Sequence, residues 1–501
     1  QEETEKKIRE IIPDEAEITR VIFDPQRSIV IIETRKPGLA IGKVGFILKD
    51  IKAQTFWTPQ IQRASAIESK ITNKIREVLY QDNSYRKKFL NNIGEKIYQE
   101  WNSDKGGDWI RLTALGAARQ VGRSCFLLQT PISKIIIDCG IDVSSQGKDR
   151  YPYLEAPELD LSTVDAVVLS HAHLDHSGLI PYLYKMGYKG PVYMTTPTRD
   201  ITALMALDFI GVAYKQAAAP LFKSTDIRTM VKHSITLSYN EVTDITPDIR
   251  ITFYNAGHIL GSAMIHFNIG NGFHNYVYSG DIKFGKSRLL DPATSYFPRL
   301  ETLQIESTYG GKDSNYPPIK ESEEELIKFI NDVIKGGGKV LLPELGTGHA
   351  QEKMLILSAA MESGKIPKVP IYIDGMIWDI NAIHTAYPDF LSTSVRSLIF
   401  QDKNPFTSDI FKHVGSPQER KNVIEGGPCI ILSTSGMLVG GAAVEYFKEF
   451  ASSSANGMCL SCYQPAGGLG RQLKEGLKET TFNINGRDEK VPIRLKFLSI
   501  D

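Results

Sequence analysis

A cluster of histidines constrains this chain more than any other feature of its sequence. The segment from His171 to His176, with the sequence HAHLDH, holds three of the chain's ten histidines. It follows the apolar run Ala166 to Ser170, which we predict to be a buried strand, and it precedes a second apolar run, Leu179 to Leu183. Side chains that follow a strand directly lie together at one edge of a sheet. The sequence therefore predicts a sheet-containing fold with a polar site at a strand end.

The residue types in this segment are those that bind metal ions. His171 and His173 can converge on one cation, while Asp175 and His176 can bind a second cation nearby. Imidazole and carboxylate together suit a borderline ion such as Zn²⁺. Two ions about 3.5–4 Å apart are the usual arrangement for phosphodiester hydrolysis, in which Asp175 could also orient the attacking water. The alternative is a histidine-rich surface turn that binds nothing.

Two further ligand candidates follow later predicted strands. The run Ile251 to Tyr254 leads to Gly257 and His258, and the run Tyr276 to Tyr278 leads to Gly280 and Asp281. A glycine before each polar residue allows a sharp backbone turn, which would direct the side chain into a cleft. Asp281 suits a position between two ions, since a carboxylate has two oxygens.

The chain divides into regions that differ in composition and in predicted secondary structure. Residues 1–105 are rich in Lys, Arg and Glu, and Gly106 to Asp108 resembles a linker. Residues 106–311 contain short apolar strands that end near Gly, Asp or His. Residues 312–490 alternate helices with apolar strands, which predicts a parallel sheet covered on both faces. The fold class expected is α/β, with a last segment, 491–501, that begins a return to the second region.

The motifs also resemble a known family. The HAHLDH segment, the Gly-His pair and the Ser279–Asp281 segment resemble, in that order, the metallo-β-lactamase fold, which is an αββα sandwich. Glu306–Gly310, Ser433–Met437 and Leu469–Arg471 resemble the inserted β-CASP domain of its nucleic-acid-processing branch. Gly42–Gly45, which we predict to lie between a strand and a helix, resembles the GXXG loop of a KH domain. The combination resembles the archaeal homologues of the nuclease subunit of the cleavage and polyadenylation specificity factor.

This resemblance implies a role for particular residues. The implied metal ligands are His171, His173, Asp175, His176, His258 and Asp281, and the implied catalytic residues are Asp175 and Glu306. Glu306 would support the site by holding an imidazole ring. The implied RNA-binding residues are Gly42, Lys43, Val44 and Gly45 in the KH-like region and Ser435, Gly436 and Arg471 in the insert. Gly42–Gly45 could instead be an ordinary glycine-rich turn.

The sequence departs from the family pattern in three places. The family has two more histidines after the insert, beyond Ile500; it usually has an arginine where this chain has His349; and its members usually carry a second KH module. Because the sequence also begins with Gln1, we expect it to be a piece of a longer protein. We expect this piece to hold one zinc ion tightly and a second weakly, and to cleave RNA slowly.

The resemblance implies a zinc-dependent endoribonuclease, with two Zn²⁺ ions per full-length chain, that forms RNA 3′ ends and terminates transcription. Its implied partners are single-stranded RNA, a second copy of the chain and, as a candidate, RNA polymerase. The alternatives are an RNA-binding scaffold without activity and a small-molecule hydrolase such as a thioesterase.

Composition limits these functions. With 58 basic and 58 acidic residues, the chain has no overall basic field, so any RNA site must be local. No apolar run reaches the ~18 residues of a membrane span, and five cysteines form no disulfide framework, which is typical of a cytoplasmic protein.

Overall fold

The computed structural model describes residues 1–500 except 26, 101–108, 146, 216, 313–316, 466 and 485–486. The expected linker at Gly106–Asp108 therefore lies outside the described residues. The first region contains α1 (Glu2–Ile11), β1 (Ile18–Asp24), β2 (Ile29–Thr34), α2 (Pro37–Ile41), α3 (Phe46–Thr55), β3 (Thr58–Arg63), α4 (Lys70–Val78) and α5 (Asn83–Ile97).

The second region begins with a mixed series of elements: β4 (Arg111–Ala114), β5 (Phe126–Gln129), β6 (Lys134–Ile137), β7 (Ala166–Val168), α6 (Leu174–Ser177), α7 (Ile180–Lys185), β8 (Val192–Met194), α8 (Thr196–Lys215), α9 (Ser224–His233) and β9 (Ser234–Thr236). It continues with strands alone: β10 (Val242–Asp244), β11 (Ile249–Asn255), β12 (Ala263–Ile269), β13 (His274–Tyr278) and β14 (Thr302–Gln304).

The third region contains α10 (Ile319–Lys335), β15 (Val340–Pro343), α11 (His349–Glu362), β16 (Ile371–Asp374), α12 (Ile377–Ala386), α13 (Thr393–Phe400), β17 (Phe411–Val414), α14 (Pro417–Glu425), β18 (Ile430–Ser433), α15 (Ala442–Phe450), β19 (Gly457–Leu460), α16 (Leu469–Lys474), β20 (Glu479–Ile484), β21 (Arg487–Pro492) and β22 (Lys496–Ser499). Among the described helices, none combines the length and the apolar character that crossing a bilayer requires.

The first region consists of two parts. Strands β1, β2 and β3 form one sheet, in which β1 and β2 are antiparallel and β2 and β3 are parallel. This sheet and its helices enclose a small core of their own, which includes Ile8, Val30 and Ile51. Helices α4 and α5 lie outside this core, and Ile75 and Leu79 of the α4 segment belong instead to the core of the second and third regions.

The prediction that Gly42–Gly45 lies between a strand and a helix is wrong. The short helix α2 precedes it, because proline is well suited to the first turn of a helix and Pro37 occupies that position. The four residues connect α2 to α3. Both glycines have left-handed φ angles, 71° at Gly42 and 70° at Gly45, and the Val44 side chain between them is 94% exposed.

The second region is a sandwich of two sheets, with strand orders β4-β5-β6-β7-β8-β9 and β10-β11-β12-β13-β14. Successive side chains of β6 point to opposite faces of the first sheet. Ile135 and Ile137 pack between the two sheets, whereas Ile136 faces the helices on the outer side of the first sheet. The two facing sheets expected from the sequence are therefore present, with α7, α8 and α9 over the first.

The third region is built around a parallel sheet with the order β17-β16-β18-β15-β19-β22. Its strands are parallel throughout, as the alternation of helices and apolar strands predicted. The final strand, β22, pairs with β19 from Gly457↔Lys496 to Leu460↔Ser499. The segment expected to begin a return to the second region is thus the edge strand of the third region's sheet, because its apolar residues Phe497 and Leu498 complete that core.

A buried ionic cluster joins the three regions. Asp200 on α8 is fully buried and lies between Arg76 of α4, at 3.4 Å, and Arg199, at 2.7 Å. The hydroxyl of Tyr387, after α12, donates to the same carboxylate at 2.6 Å. The two arginines lower the pKa of Asp200 against the effect of burial, which alone would raise it. One carboxylate therefore has partners from all three regions.

Candidate metal centre

Strand ends bring the predicted ligands together. Strands β6 and β7 are parallel, so Asp138, after β6, and His171, after β7, lie at the same edge of the first sheet. In the second sheet, β11 and β13 are both antiparallel to β12 and so run in the same direction. His258 and Asp281, which follow them, therefore also share an edge. The two edges face each other across the sandwich.

The glycines before His258 and Asp281 make the sharp turns that the sequence predicted. Gly257 has a φ angle of 67° and Gly280 of 54°, both in the left-handed region. Space is also restricted at both positions. A Cβ atom at Gly280 would lie 2.8 Å from Cβ of Ser170, and one at Gly257 would lie 2.6 Å from the carbonyl oxygen of Lys283. Glycine thus allows both the turn and the close approach of the two sheets.

The six predicted ligands form two groups that share Asp281. The first group is His171, His173, His258 and Asp281, and the second is Asp175, His176 and Asp281; within each, one potential ligand atom per residue lies within 4.8 Å of the others. One Asp281 oxygen, Oδ2, lies 3.7 Å from His171 Nε2 and 3.6 Å from His258 Nε2. The other, Oδ1, lies 3.3 Å from His176 Nε2. The carboxylate thus presents one oxygen to each group.

Two of the imidazoles have a ring nitrogen without a protein partner. Nε2 of His171 and Nε2 of His173 are buried and accept or donate no hydrogen bond among the described residues. Buried polar atoms without a hydrogen-bond partner are rare in folded proteins unless a ligand or an ion binds to them. The donor set of four imidazoles and two carboxylates, with these open nitrogens, fits a divalent cation.

The electrostatics of the first group favour neutral rings. Burial, with the neighbouring imidazole of His176, holds the pKa of His171 well below its ordinary value. Burial and the nearby ring of His258 lower the pKa of His173 to about 4. Burial likewise lowers the pKa of His258. Because a metal ion binds the neutral ring, these imidazoles need lose no proton near neutral pH before they bind a cation.

In the second group, interactions with neighbouring charges outweigh the effect of burial on the pKa values. Burial would lower the pKa of His176, but the carboxylates of Asp281 and Asp175 and the hydrogen bond to Asp138 raise it well above its ordinary value. Burial would raise the pKa of Asp281, but His176 and the other imidazoles hold it well below its usual range. The shared carboxylate is therefore ionised, as a metal ligand must be.

Asp138 orients the His176 ring by a hydrogen bond to Nδ1, the ring nitrogen that does not face Asp281. It is fully buried, and His176 Nδ1 lies 2.7 Å from its Oδ2 atom. The same oxygen accepts hydrogen bonds from the hydroxyls of Ser170, at 2.8 Å, and Tyr278, at 2.9 Å. The other oxygen accepts from the Ser170 backbone N–H at 2.7 Å. A carboxylate behind an imidazole fixes the ring's tautomer and leaves Nε2 for the metal.

The segment that carries Asp175 is held by close backbone packing. The N–H of Cys139 donates to the carbonyl of His176 at 2.7 Å, and the N–H of Ser124 donates to the carbonyl of Asp175 at 2.8 Å. A Cβ atom at Gly140 would lie 1.7 Å from that Asp175 carbonyl oxygen. Any side chain at residue 140 would thus displace the segment.

All the predicted ligands except the buried His171 line a cleft of about 1950 Å³ between the second and third regions. Three of the predicted RNA-binding residues, Ser435, Gly436 and Arg471, line the same cleft from the third region. Arg471 is exposed there and lies 3.6 Å from Glu475 on its own helix segment. His349, where an arginine was expected, also lines the cleft. The loop Gly42–Gly45 is not among the residues lining this cleft.

Glu306 lies in the cleft but makes a different contact from the one expected. Its carboxylate accepts a hydrogen bond from the backbone N–H of Thr308 at 2.8 Å, and its own N–H donates to Ser279 at 3.0 Å. In the described part of the chain, no histidine ring is hydrogen-bonded to Glu306. Its support of an imidazole remains a prediction.

Asp138 was not identified from the sequence. The available signal was its position directly after the apolar strand Lys134–Ile137, the same pattern that precedes the predicted ligands. A second unpredicted feature is Asp374 at the end of β16, which binds Arg420 through both oxygens at 2.8 and 2.9 Å. Both residues of this pair line the cleft.

Comparisons with known proteins agree with this geometry. Residues 127–304 match the metallo-beta-lactamase superfamily domain, and residues 350–473 match the Beta-Casp domain. The chain is 49% identical over 490 residues to the transcription termination factor FttA of Methanothermobacter thermautotrophicus, which covers 97% of this chain and 76% of that protein. It is 47% identical to the protein of the same name from Methanocaldococcus jannaschii, over 99% of this chain and 78% of that one. It is 45% identical to the one from a Lokiarchaeum species, over 100% and 78% of the two chains.

Proposed function

Because this chain belongs to the family of the transcription termination factor FttA, with its metallo-β-lactamase and β-CASP domains, we propose that it is a metal-dependent endoribonuclease that forms RNA 3′ ends and terminates transcription. The observation that carries the proposal is the pair of ligand groups that share Asp281, on the wall of a cleft between two domains. Single-stranded RNA is the substrate that such a cleft would admit.

The metal ions we propose are two zinc ions. His171, His173, His258 and Asp281 would hold one, and Asp175, His176 and Asp281 the other. When bound, such ions supply Lewis acidity and lower the pKa of water. The mixture of imidazole and carboxylate ligands suits zinc.

The chain's own residues position the substrate and the water. We propose that Asp175, whose side chain is partly exposed to the cleft, orients the attacking water. Asp138 keeps the His176 ring in place through Nδ1. On the other wall, Ser435, Gly436 and Arg471 would contact the RNA backbone. Glu306 would support the site by holding an imidazole ring.

The remaining elements of the proposal concern organisation. Residues 1–105 would be a KH-like RNA-binding region, in which Gly42, Lys43, Val44 and Gly45 contact RNA phosphates. Residues 106–311 would be the metallo-β-lactamase domain and residues 312–490 the β-CASP domain, to whose sheet β22 is added. The protein would act as a homodimer, with RNA polymerase as a partner.

The direct test is cleavage of a labelled single-stranded RNA by the zinc-loaded protein, by the same protein after chelation, and after zinc is restored. We expect cleavage only in the first and third cases. A thioester offered in parallel tests the small-molecule alternative. Hydrolysis of the thioester without RNA cleavage would contradict the proposal, and RNA binding without any cleavage would indicate a scaffold.

A further inference from the structure

A strained loop lies beside the metal centre. It connects β4 to β5 over residues 115–125 and lines the cleft next to Asp175. Three of its non-glycine residues have left-handed φ angles: Ala117 at 62°, Arg119 at 62° and Arg123 at 46°. L-residues avoid this conformation, and such residues persist where their surroundings fix them, often at functional sites.

The surroundings fix the base of this loop. A Cβ atom at Gly116 would lie 2.0 Å from the carbonyl oxygen of Arg123, so the two ends of the loop are in contact. The Arg123 guanidinium donates to the carbonyl of Tyr151 at 3.0 Å and to the side chain of Gln120 at 3.2 Å. Together with the bond from Ser124 to Asp175, these contacts hold the loop against the metal-binding segment.

Arg119 differs from the other arginines of the cleft. Arg420 is bound by Asp374, Arg471 is close to Glu475, and the half-buried Arg150 has its guanidinium over the ring of Tyr151. Arg119, in contrast, is exposed and has no ion pair or side-chain hydrogen bond with any residue that the structure describes. Seven acidic and six basic residues line the cleft, and two of the acidic ones, Asp175 and Asp281 of the ligand groups, belong to the same domain as Arg119. A strained backbone thus presents an unpaired cation on the side of the cleft that carries the ligand carboxylates.

We propose that Arg119 binds a backbone phosphate of the RNA strand, next to the phosphate at the metal centre and on the metallo-β-lactamase side of the cleft. This inference rests on the proposed function. An RNA strand carries a negative charge at every nucleotide, so an unpaired cation beside the metal centre would attract a phosphate there. The planar guanidinium suits this task, because two of its N–H groups can bind two phosphate oxygens at once. The RNA would then be held on both sides of the scissile bond, by Arg119 and by Ser435, Gly436 and Arg471.

The strain itself provides a sharp test. In the variant Arg119→Gly, glycine adopts the φ angle of 62° without cost, so the melting temperature should stay the same or rise. RNA affinity should fall roughly tenfold, the effect of losing one hydrogen-bonded charged contact. The slope of log affinity against log salt should become shallower by about 0.7, the value for one phosphate on a single strand.

The measurement is the affinity of the zinc-loaded protein for a single-stranded RNA oligonucleotide at several salt concentrations, well below the melting temperature. The matched pair is Arg119→Gln and Arg111→Gln, since Arg111 is also an exposed arginine of this domain but is not among the residues lining the cleft. Only the change at residue 119 should alter the affinity and the slope. In Arg119→Lys, which keeps the charge but loses the planar fork, the slope should be retained while the affinity falls.

Each outcome decides the question. If Arg119→Gly binds RNA with the parent's affinity and slope, while the parent binds and cleaves RNA, the inference is wrong and the proposed function stands. If Arg111→Gln weakens binding as much as Arg119→Gln, the effect is one of net charge, and the inference is again wrong. If the parent protein binds no RNA at any salt concentration, the inference and the proposed function are both wrong.

Discussion

The ring of His176 is hydrogen-bonded through Nδ1 to Asp138, a residue 38 positions earlier in the chain, at 2.7 Å. The other ring nitrogen, Nε2, lies 3.3 Å from Asp281 and faces the ligand group. The contact joins the end of β6 to α6, the short helix that follows β7. A buried carboxylate that belongs to neither ligand group thus supports the ring of a proposed ligand.

Replacing this carboxylate should weaken the metal centre while preserving the fold. In Asp138→Asn, the side chain keeps its volume but can no longer hold the imidazole in the same tautomer. We expect the affinity for zinc, measured with a competing chelator, and the rate of RNA cleavage to fall about 10–100-fold. The control is Tyr278→Phe, which removes another donor to the same carboxylate at 2.9 Å but leaves the imidazole contact intact. Equal losses in both variants would mean that Asp138 acts only through packing.

Removing a proposed ligand should have a larger effect. For Asp175→Ala and His176→Ala, we expect RNA cleavage to fall by more than the roughly 100-fold upper limit typical of residues behind the ligands. The melting temperature of the metal-free protein should change little in Asp175→Ala, whose side chain is partly exposed. His274→Ala is a suitable control, because His274 is half-buried, its ring is hydrogen-bonded to Thr302, and it is not among the residues lining the cleft. Cleavage within about twofold of the parent's rate would show that the assignment is wrong.

The two ligand groups should bind zinc unequally. The first offers four protein side chains, and the second offers three among the described residues. We expect chelator to remove one zinc ion per chain before the other, as metal analysis after stepwise dialysis would show. The variant His176→Ala should lose only the weaker ion, whereas Asp281→Ala should weaken both. Two ions released together from the parent protein would contradict this ranking.

The loop Gly42–Gly45 should contribute to RNA affinity independently of cleavage chemistry. Replacing Lys43 and Val44 with aspartates keeps both left-handed glycines and places negative charge where phosphates would lie. Affinity for single-stranded RNA should fall, and its dependence on salt should weaken, because fewer counterions are released on binding. The matched control replaces the exposed Lys6 and Lys7 of α1 with aspartates. Unchanged affinity in the loop variant would make this segment an ordinary turn.

A buried histidine outside the metal centre should make stability depend on pH. Burial in α12 lowers the pKa of His384 from its ordinary value of 6.5 to about 4. Between these values the unfolded chain binds a proton that the folded chain does not, so stability falls as the pH falls. At pH 5 the expected cost is about 2 kcal/mol. The fall in melting temperature between pH 7 and pH 5 should therefore be smaller in His384→Leu than in the parent, and an equal fall would contradict the prediction.

The ligands could be located from sequence because the segment from His171 to His176 follows one apolar strand, and because His258 and Asp281 each follow another, with a preceding glycine that signals a turn. Asp138 has the same position after β6, but a single aspartate after a strand is common and carries no signal alone. Its role depends on a contact with His176, and the sequence gives no direct indication of that contact. That Arg471 and Asp281 line one cleft likewise depends on how two domains pack.

The sequence did not predict helix α8, and the reason is physical. Most of its first half is buried, including polar residues such as Thr198 and Thr202, so it lacks the alternation of apolar and polar faces that identifies a helix. The short α2 helix was missed for another reason. Its five residues, Pro37 to Ile41, are too few to show a helical period.

The ionic cluster around Asp200 has a consequence for how the chain folds. Arg76, Arg199 and Tyr387 come from three regions that resemble separate domains. If Arg76 were removed, the buried carboxylate of Asp200 would remain charged but would have lost one of the two cations that stabilise it. The three regions should therefore unfold in one cooperative transition rather than in three. A shortened chain that begins at residue 109 would lose more than the first region itself. It would have lost Arg76, which compensates the buried charge of Asp200, and with it part of its thermodynamic stability.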